Sequence, residues 1–398
     1  MTERLFHEDS FLREFTATVI ETSQSEGRPA AVLDRTAFYA TSGGQPHDTG
    51  QLGEARVLDV FEDETDRIVH VLDRELPRGP VSGRIDWERR FDHMQQHSGQ
   101  HVLSQAFVQT AGAATVSFHL GRETSTIDLE LESASDEAIT AAESLASRIV
   151  FEDRPVTVLS ARPEELAALG VRKQSDRQGE LRVIDVEGFD RSPCGGTHVR
   201  TSGQIGLIGI LGYERYKGGT RVEFVCGGRA LHALRKDRDV CRQLARLYSA
   251  PPEELTHAAD KILQERGALL KENARLKEEL LESEARALVA EGTRISGNVF
   301  VRKVFEGRSL DAVKLLAQKI VQQGGDLALL GSAAPASQAV VARSARLGGD
   351  CGAAVKDANG RHGGKGGGRP ELAQAGGLPP ESLGPWLDSV EGYFRNLT

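Results

Sequence analysis

Cysteine is scarce in this chain: four residues in 398, at Cys194, Cys226, Cys241 and Cys351. Spacing this sparse and uneven excludes a disulfide framework and leaves reduced thiols or metal ligands. No apolar run approaches the roughly 20 residues that a membrane span requires. The opening MTERLFHEDSFLREF is too charged for a secretory signal, so the expected compartment is the cytoplasm and no membrane partner is expected. Positive charge is also short, because the formal net charge is −9, which would repel nucleic acid if it were spread evenly. It is not even. Residues 293–398 hold 13 Lys or Arg against 9 Asp or Glu, a net of +4 that leaves −13 on the preceding part. A mildly basic tail beside an acidic body allows a local contact with a polyanion.

A chain of this length exceeds one ordinary core, and hydrophobicity and charge content are those of a globular protein. The pattern along the chain predicts an α+β protein in four parts. Residues 1–89 alternate apolar and polar positions in short runs such as EFTATVIE and ARVLDVFED, separated by Gly, Pro and Asp turns. This reads as a small N-terminal β-barrel carrying a glycine-rich stretch, FYATSGGQPHDTGQLG. Residues 90–235 mix helical segments with strands: a helix through Val108, strand-like ATVSFHLG and STIDLEL, a helix capped by Ser135 or Asp136, and further strands ending in TRVEFVCGG. Residues 236–292 read as a helical, coiled-coil-like linker, with Leu255, Ile262, Leu269 and Leu276 at seven-residue intervals and Arg266 and Asn273 interrupting the alternate seam. Residues 293–398 return to α/β and contain the glycine tract RHGGKGGGRPELAQAGG.

The chemistry starts in DHMQQHSGQHVLSQAF, where His97 and His101 stand one helical turn apart and can converge on one ion. A zinc peptidase would need a glutamate directly after the first histidine as general base, and Ser98 occupies that place. The peptidase reading fails. A histidine pair alone is weak evidence, but SPCGGTHVRTSGQIG supplies Cys194 and His198, again four apart, across Gly195 and Gly196. A glycine turn lets a thiolate and an imidazole fold toward one point. One Cys and three His form a tetrahedral donor set suited to one zinc ion per chain; the bland alternative is a buried cysteine and scattered surface histidines.

His97 to His101, followed about a hundred residues later by Cys194 to His198, resembles the zinc site of the alanyl-tRNA editing domain found in alanyl-tRNA synthetases and free-standing AlaX proteins. FYATSGGQPHDTG looks like that family's glycine-rich motif, HMQQHSGQHVLSQAF is close to its larger free-standing members, and TRVEFVCGGRAL is similar to the segment that closes the domain. GGKGGGRPELAQAGG resembles the DHHA1 domain that ends alanyl-tRNA synthetases. The ATP-dependent aminoacylation region of a full synthetase is not represented, so the resemblance implies editing without alanine activation. FDHM, with one histidine after the aspartate, does not supply a DHH phosphoesterase site.

What the resemblance implies is hydrolysis of the ester that joins a wrong amino acid, serine or glycine, to alanine tRNA. Carried over by position, Ser42, Gly43, Gly44 and Gln45 should sit beside the metal and bind the ester or the terminal ribose, although Ser-Gly-Gly is also a common turn composition. Asp48 is expected to brace this loop. A hydroxyl near the metal would discriminate serine from alanine, because a pocket built to bond a hydroxyl penalises the analogue lacking it. Thr115 or Ser117 in TVSFHLG is the candidate, with the register left open. Gln100 and His119 are expected to be structural, as are Cys226 and Cys241, and Cys351 has no visible partner. In the glycine tract, His362, Lys365 and Arg369 with exposed backbone amides suit an RNA backbone, against the alternative of a purely structural loop. The resemblance also implies tRNA contact and homodimerisation through residues 250–398. The rival from another class is a noncatalytic tRNA-binding protein that keeps zinc for folding.

Overall fold

The computed structural model describes residues 2–172, 179–334 and 336–397, and the chain divides into two compact units, 1–244 and 245–398. Both units mix helices and sheets, the α+β class expected from the sequence.

The first unit begins with a closed six-stranded barrel. Its strands run in the order Glu14–Ser25, Arg28–Leu33, Ile68–Leu72, Ala55–Glu62, Gly50–Leu52 and Gly79–Ile85, where the first and last also pair. Alternation in Glu14–Ser25 places Phe15, Ala17 and Val19 inward, where they join Leu33, Leu52, Val60 and Leu72 in one apolar cluster. The long connection between Thr36 and Gly50 leaves the barrel and carries the Ser-Gly-Gly-Gln sequence.

Beyond the barrel, the helix Trp87–Ala111 starts where the Asp86 carboxylate accepts the Arg89 amide at 3.3 Å, and ends at Gly112 with φ of 63°. A cap of this kind contributes about 1 kcal/mol. A second helix, Asp136–Phe151, is capped by Ser135, one of the two residues anticipated. Both helices lie over an antiparallel sheet ordered Ile208–Tyr216, Gly219–Cys226, Ser125–Leu129, Thr115–Leu120. Phe224, Val222, Ile127 and Leu129 fill the interface with Val102, Leu103, Ala106 and Phe107. A small sheet of Val156–Ala161, Leu181–Val186 and Asp190–Pro193 leads into the cysteine turn.

The barrel and the histidine helix meet through one fully buried ion pair, Arg90 with Asp48. The guanidinium also donates to the carbonyls of Ser10, at 2.9 Å, and Ala37. Asp48 in turn accepts the Tyr39 amide at 2.7 Å. The aspartate thereby braces the loop.

In the second unit, a six-stranded sheet is ordered Thr293–Ile295, Asn298–Phe305, Leu327–Ser332, Ser337–Arg343, Leu372–Leu378, Lys365–Arg369. Asn298–Phe305 and Leu327–Ser332 are parallel, joined by the crossover helix Leu310–Gln322, and the other pairs are antiparallel. Every residue of the central strand LALLGS is buried, which fits helices on both faces of the sheet.

The glycine tract, for which a purely structural loop is the alternative reading, is the edge strand Lys365–Arg369 paired with Leu372–Gly376. Side-chain-free positions permit this, because a Cβ at Gly368 would stand 2.4 Å from the Ala373 Cα. The helical stretch is two helices, Gly227–Tyr248 and Leu255–Glu291, interrupted at Pro251 and Pro252, whose rings disfavour helix in the residues before them. Ile262, Leu269, Leu276 and Leu280 are 49–69% exposed, so the anticipated seam has no cover within the described residues.

Removing one partner of the buried pair should be costly. Arg90→Met or Asp48→Asn is expected to lower stability by about 3–5 kcal/mol in urea unfolding. The double variant should recover part of that loss, because it leaves no unpaired buried charge.

Candidate metal centre

His97 and His101 project from the histidine helix one turn apart, and Cys194 and His198 come from the turn that follows the strand Asp190–Pro193. The sequence does not reveal how the two segments meet. In the structure one ligand atom from each of the four lies within 4.8 Å of every other. The Cys194 sulfur is 3.3 Å from Nε2 of both His97 and His198.

The histidines are held by their other edges. His97 Nδ1 meets the Gln45 carbonyl oxygen at 2.8 Å, His101 Nδ1 meets the Asp190 carboxylate at 3.1 Å, and His198 Nδ1 meets the Ser98 hydroxyl at 3.1 Å. Donation from Nδ1 to Gln45 and Asp190 leaves Nε2 as the bare nitrogen, the tautomer a metal ligand needs. The Gln45 amide is locked by two further bonds: its Nε2 donates to the Thr197 hydroxyl at 2.8 Å, and its oxygen accepts the Thr197 amide at 3.2 Å. Asp190 is supported by Arg172 at 2.8 Å and by the Ser192 hydroxyl.

Of the two glycines between Cys194 and His198, Gly196 is required by contact. A Cβ on Gly196 would fall 2.2 Å from the His97 ring. Arg182 closes the turn from behind, donating to the carbonyls of Cys194 at 2.9 Å and Gly196 at 2.8 Å.

The electrostatics of the cluster follow from burial and mutual contact. Burial alone pushes the Cys194 thiol up, but the charges of His97 and His198 and hydrogen bonds from His101 and His198 outweigh it, leaving the thiol well below its ordinary range. Burial pushes the His101 imidazole down; its hydrogen bonds to Asp190 and Cys194 prevail and raise it to about 9. His198 is lowered to about 3, chiefly by burial. The contacts within the cluster thus favour the thiolate form of Cys194. One soft anion and three imidazoles are a donor set that could hold a metal ion, consistent with zinc.

The glycine-rich loop reaches this cluster. Ser42 and Gln45 bond each other's backbones at 3.1 and 2.9 Å, closing a turn whose central residues, Gly43 and Gly44, have φ of 55° and 83°. Both φ values lie in the left-handed region that favours glycine. Gly44 also packs so closely on the Phe118 carbonyl that a Cβ would stand 2.5 Å from it, and the Phe118 ring lies against His97 with centroids 5.2 Å apart. Ser42, Gly43 and Gly44 are exposed while Gln45 is buried, so the turn presents one side to solvent and the other to the cluster.

The two hydroxyl candidates diverge. A register shift where Leu129 opposes Thr115 and Asp128 opposes Ser117 leaves Val116 unpaired. Thr115 and Phe118 therefore both face the histidine helix, where the Thr115 hydroxyl donates to Ser104 at 2.7 Å. Ser117 points the other way and donates to Asp128 at 2.6 Å, so the structure does not bring it to the cluster. Gln100 supports the helix by donating to Ser104 at 2.8 Å, and His119 is exposed on its strand. Cys226 is buried against Gly99, but Cys241, expected to be structural, is exposed. In the second unit His362 is tied to the Ser389 hydroxyl at 2.7 Å, a helix-to-helix contact, whereas Lys365 and Arg369 are exposed on the edge strand. Cys351 is buried in that unit's core.

The sequence reading missed Asp190, Ser98, Thr197 and Arg182. Ser98 and Thr197 each adjoin a histidine of the cluster, a signal that proximity in sequence offered; Asp190 and Arg182 had none. Replacing Gln45 by Leu is expected to weaken zinc binding about 10- to 100-fold in competition with a chromogenic chelator. Unchanged affinity would remove the amide from this account.

Comparison with known proteins gives the chain's relatives. The threonyl and alanyl tRNA synthetase second additional domain matches residues 181–223. The chain is 32% identical over 407 residues to the alanine–tRNA ligase of Pyrococcus furiosus, covering 98% of this chain and 43% of the ligase. It thus spans less than half of that ligase. Among solved structures, the C-Ala domain of Aquifex aeolicus alanyl-tRNA synthetase matches at 19% identity and a TM-score of 0.25, covering 26% of this chain and 97% of that one. The alanyl-tRNA editing protein AlaX-L of Pyrococcus horikoshii is 32% identical over 343 residues, covering 83% of this chain and 84% of that protein. On that near end-to-end match, the chain belongs to the alanyl-tRNA editing protein family.

Proposed function

We propose that this protein is a zinc-dependent hydrolase that removes serine, and glycine, from mischarged alanine tRNA in the cytoplasm without aminoacylating it. The observation that carries this reading is the convergence of His97, His101, Cys194 and His198 beside the turn Ser42–Gln45, which is exposed at Ser42, Gly43 and Gly44. The editing proteins among its relatives support the same substrate class.

An aminoacyl ester is already activated, so the protein has to position it, supply charge stabilisation at its carbonyl and admit water. His97, His101, Cys194 and His198 would hold a zinc ion, which when bound would supply electrophilic polarisation there. The turn Ser42-Gly43-Gly44 binds the ester end from the solvent side, with Gln45 fixing its inner edge to His97 and Thr197. Thr115, on the face turned toward the histidine helix, is the hydroxyl group that reads serine; a register that turns Ser117 away argues against the second candidate. Lys365 and Arg369 meet the tRNA backbone, with His362 serving to hold its helix in place. The exposed leucine seam of Leu255–Glu291 supports the homodimer that the family resemblance suggested.

One observation favours a second reading, a noncatalytic tRNA-binding protein with structural zinc: four protein donors already satisfy a tetrahedral ion. Incubation with seryl-tRNA and alanyl-tRNA separates the two. The hydrolase loses the seryl ester at substoichiometric enzyme and spares the alanyl ester, and Cys194→Ala, folded and metal-poor, loses at least about 100-fold in rate. Binding without turnover establishes the second reading instead. Lys365→Glu with Arg369→Glu is expected to lower the steepness of tRNA affinity against salt by roughly two counterions, measured by fluorescence anisotropy.

A further inference from the structure

The four-residue cluster is not sealed on every side. His97, His101 and His198 are 3–4% exposed, whereas Cys194 is half-buried and Gly195 beside it is exposed. Solvent therefore reaches the cluster along the cysteine turn. Tyr39 joins this edge to the glycine turn: its hydroxyl donates to the Ser42 carbonyl at 3.0 Å, and it lies near enough to Cys194 and Arg182 for both charges to act on it.

Arg182, half-buried on the strand Leu181–Val186, lines the same edge. Its Nη1 donates to the carbonyls of Cys194 at 2.9 Å and Gly196 at 2.8 Å, and its Nε donates to the His7 carbonyl at 3.2 Å. His7, also half-buried, brings its imidazole alongside Gly195. Among the described residues, Nη2 of Arg182 donates to nothing and pairs with no carboxylate. Nor is it one of the side-chain atoms sealed without a partner, which are His93 Nδ1, Gln105 Oε1 and Ser125 Oγ, so it is open to solvent. Burial pushes this guanidinium down from its ordinary range, and the groups that resist are Cys194 and Tyr39, neither of them a carboxylate. Arg90 and Arg172 differ, because each is matched by an aspartate. A half-buried cation without a carboxylate partner is a cost to the fold that an anionic ligand offsets.

We infer that the free Nη2 of Arg182 binds the phosphodiester that joins the terminal nucleotide of the tRNA to the one before it. This rests on the deacylase reading, which puts the ester carbonyl at the four-residue cluster. Of the substrate groups nearest that ester, the α-ammonium is a cation and the ribose hydroxyls are neutral; the phosphodiester is the anion. A guanidinium with an uncommitted amino group donates to a phosphate oxygen through a charge-assisted bond. The neighbouring thiolate does not cancel this attraction, because a divalent cation on the four ligands more than offsets its charge. Three bonds to backbone carbonyls fix the guanidinium, so the phosphate is anchored at a set distance from Cys194.

The test uses the zinc-loaded full chain and a short RNA hairpin ending in CCA, with serine joined through a stable amide. A second hairpin differs only in an uncharged methylphosphonate between its last two nucleotides. By calorimetry, wild type is expected to bind the ordinary hairpin about tenfold more tightly than the neutral one, the worth of one charge-assisted hydrogen bond. Arg182→Gln is expected to bind both equally, at the level of the neutral hairpin, with zinc content unchanged; a purely structural role would weaken both and leave their ratio intact. If Arg182→Gln does not fold or loses zinc, Arg182→Lys carries the test: its single ammonium keeps only part of the discrimination, and full retention overturns the assignment. Equal binding of the two hairpins by wild type, or an undiminished ratio in folded Arg182→Gln, overturns the role of Arg182 alone. Failure of wild type to bind either hairpin overturns the deacylase reading, and the assignment of Arg182 with it.

Discussion

The buried pair between Arg90 and Asp48 is the constraint on which the candidate site rests. Two opposite charges with no exposure are tolerated because each also satisfies backbone groups: Arg90 reaches carbonyls at Ser10 and Ala37, and Asp48 holds the Tyr39 amide. Those contacts tie the N-terminal segment, the loop after Thr36 and the first turns of the histidine helix to one point. Only with that point in place can Gln45, three residues before Asp48, insert its amide between His97 and Thr197. A barrel loop thereby becomes part of a centre whose ligands lie on a helix and on a distant turn.

Around the cluster, the same economy of polar contacts recurs. Each imidazole is oriented by an acceptor or hydroxyl at Nδ1, and each of those groups is held by something else: Gln45 by Thr197, Asp190 by Arg172 and Ser192, Ser98 by the Val199 amide. The arrangement leaves a thiolate and three nitrogens facing inward, and their mutual attraction outweighs the burial that would otherwise neutralise the sulfur. These outer contacts hold the four side chains in place before a cation arrives.

The second unit is built on different physics. Its central strand is apolar throughout and buried on both faces, and Trp386, Leu387 and Phe394 close one side of the sheet. Stability there comes from apolar packing, while the edge strand Lys365–Arg369 and the leucines of the long helix remain at the surface. That edge strand is glycine between two exposed cations, Lys365 and Arg369.

Much of the centre was legible in the residue order. Four-residue spacing on a helix dictates that His97 and His101 share a face, and a Gly-Gly turn between Cys194 and His198 allows two ligands to converge, because both are local consequences of backbone geometry. The scarcity of cysteine, the absence of a glutamate after His97 and the cap at Ser135 were equally local. Tertiary structure alone decided the rest. An unpaired Val116 turned Thr115 toward the helix and Ser117 away from it, and pairing made the glycine tract an edge strand. Strand register, sheet pairing and unmet hydrogen bonds depend on partners remote in the chain, and no periodicity in the chain itself encodes which partner arrives.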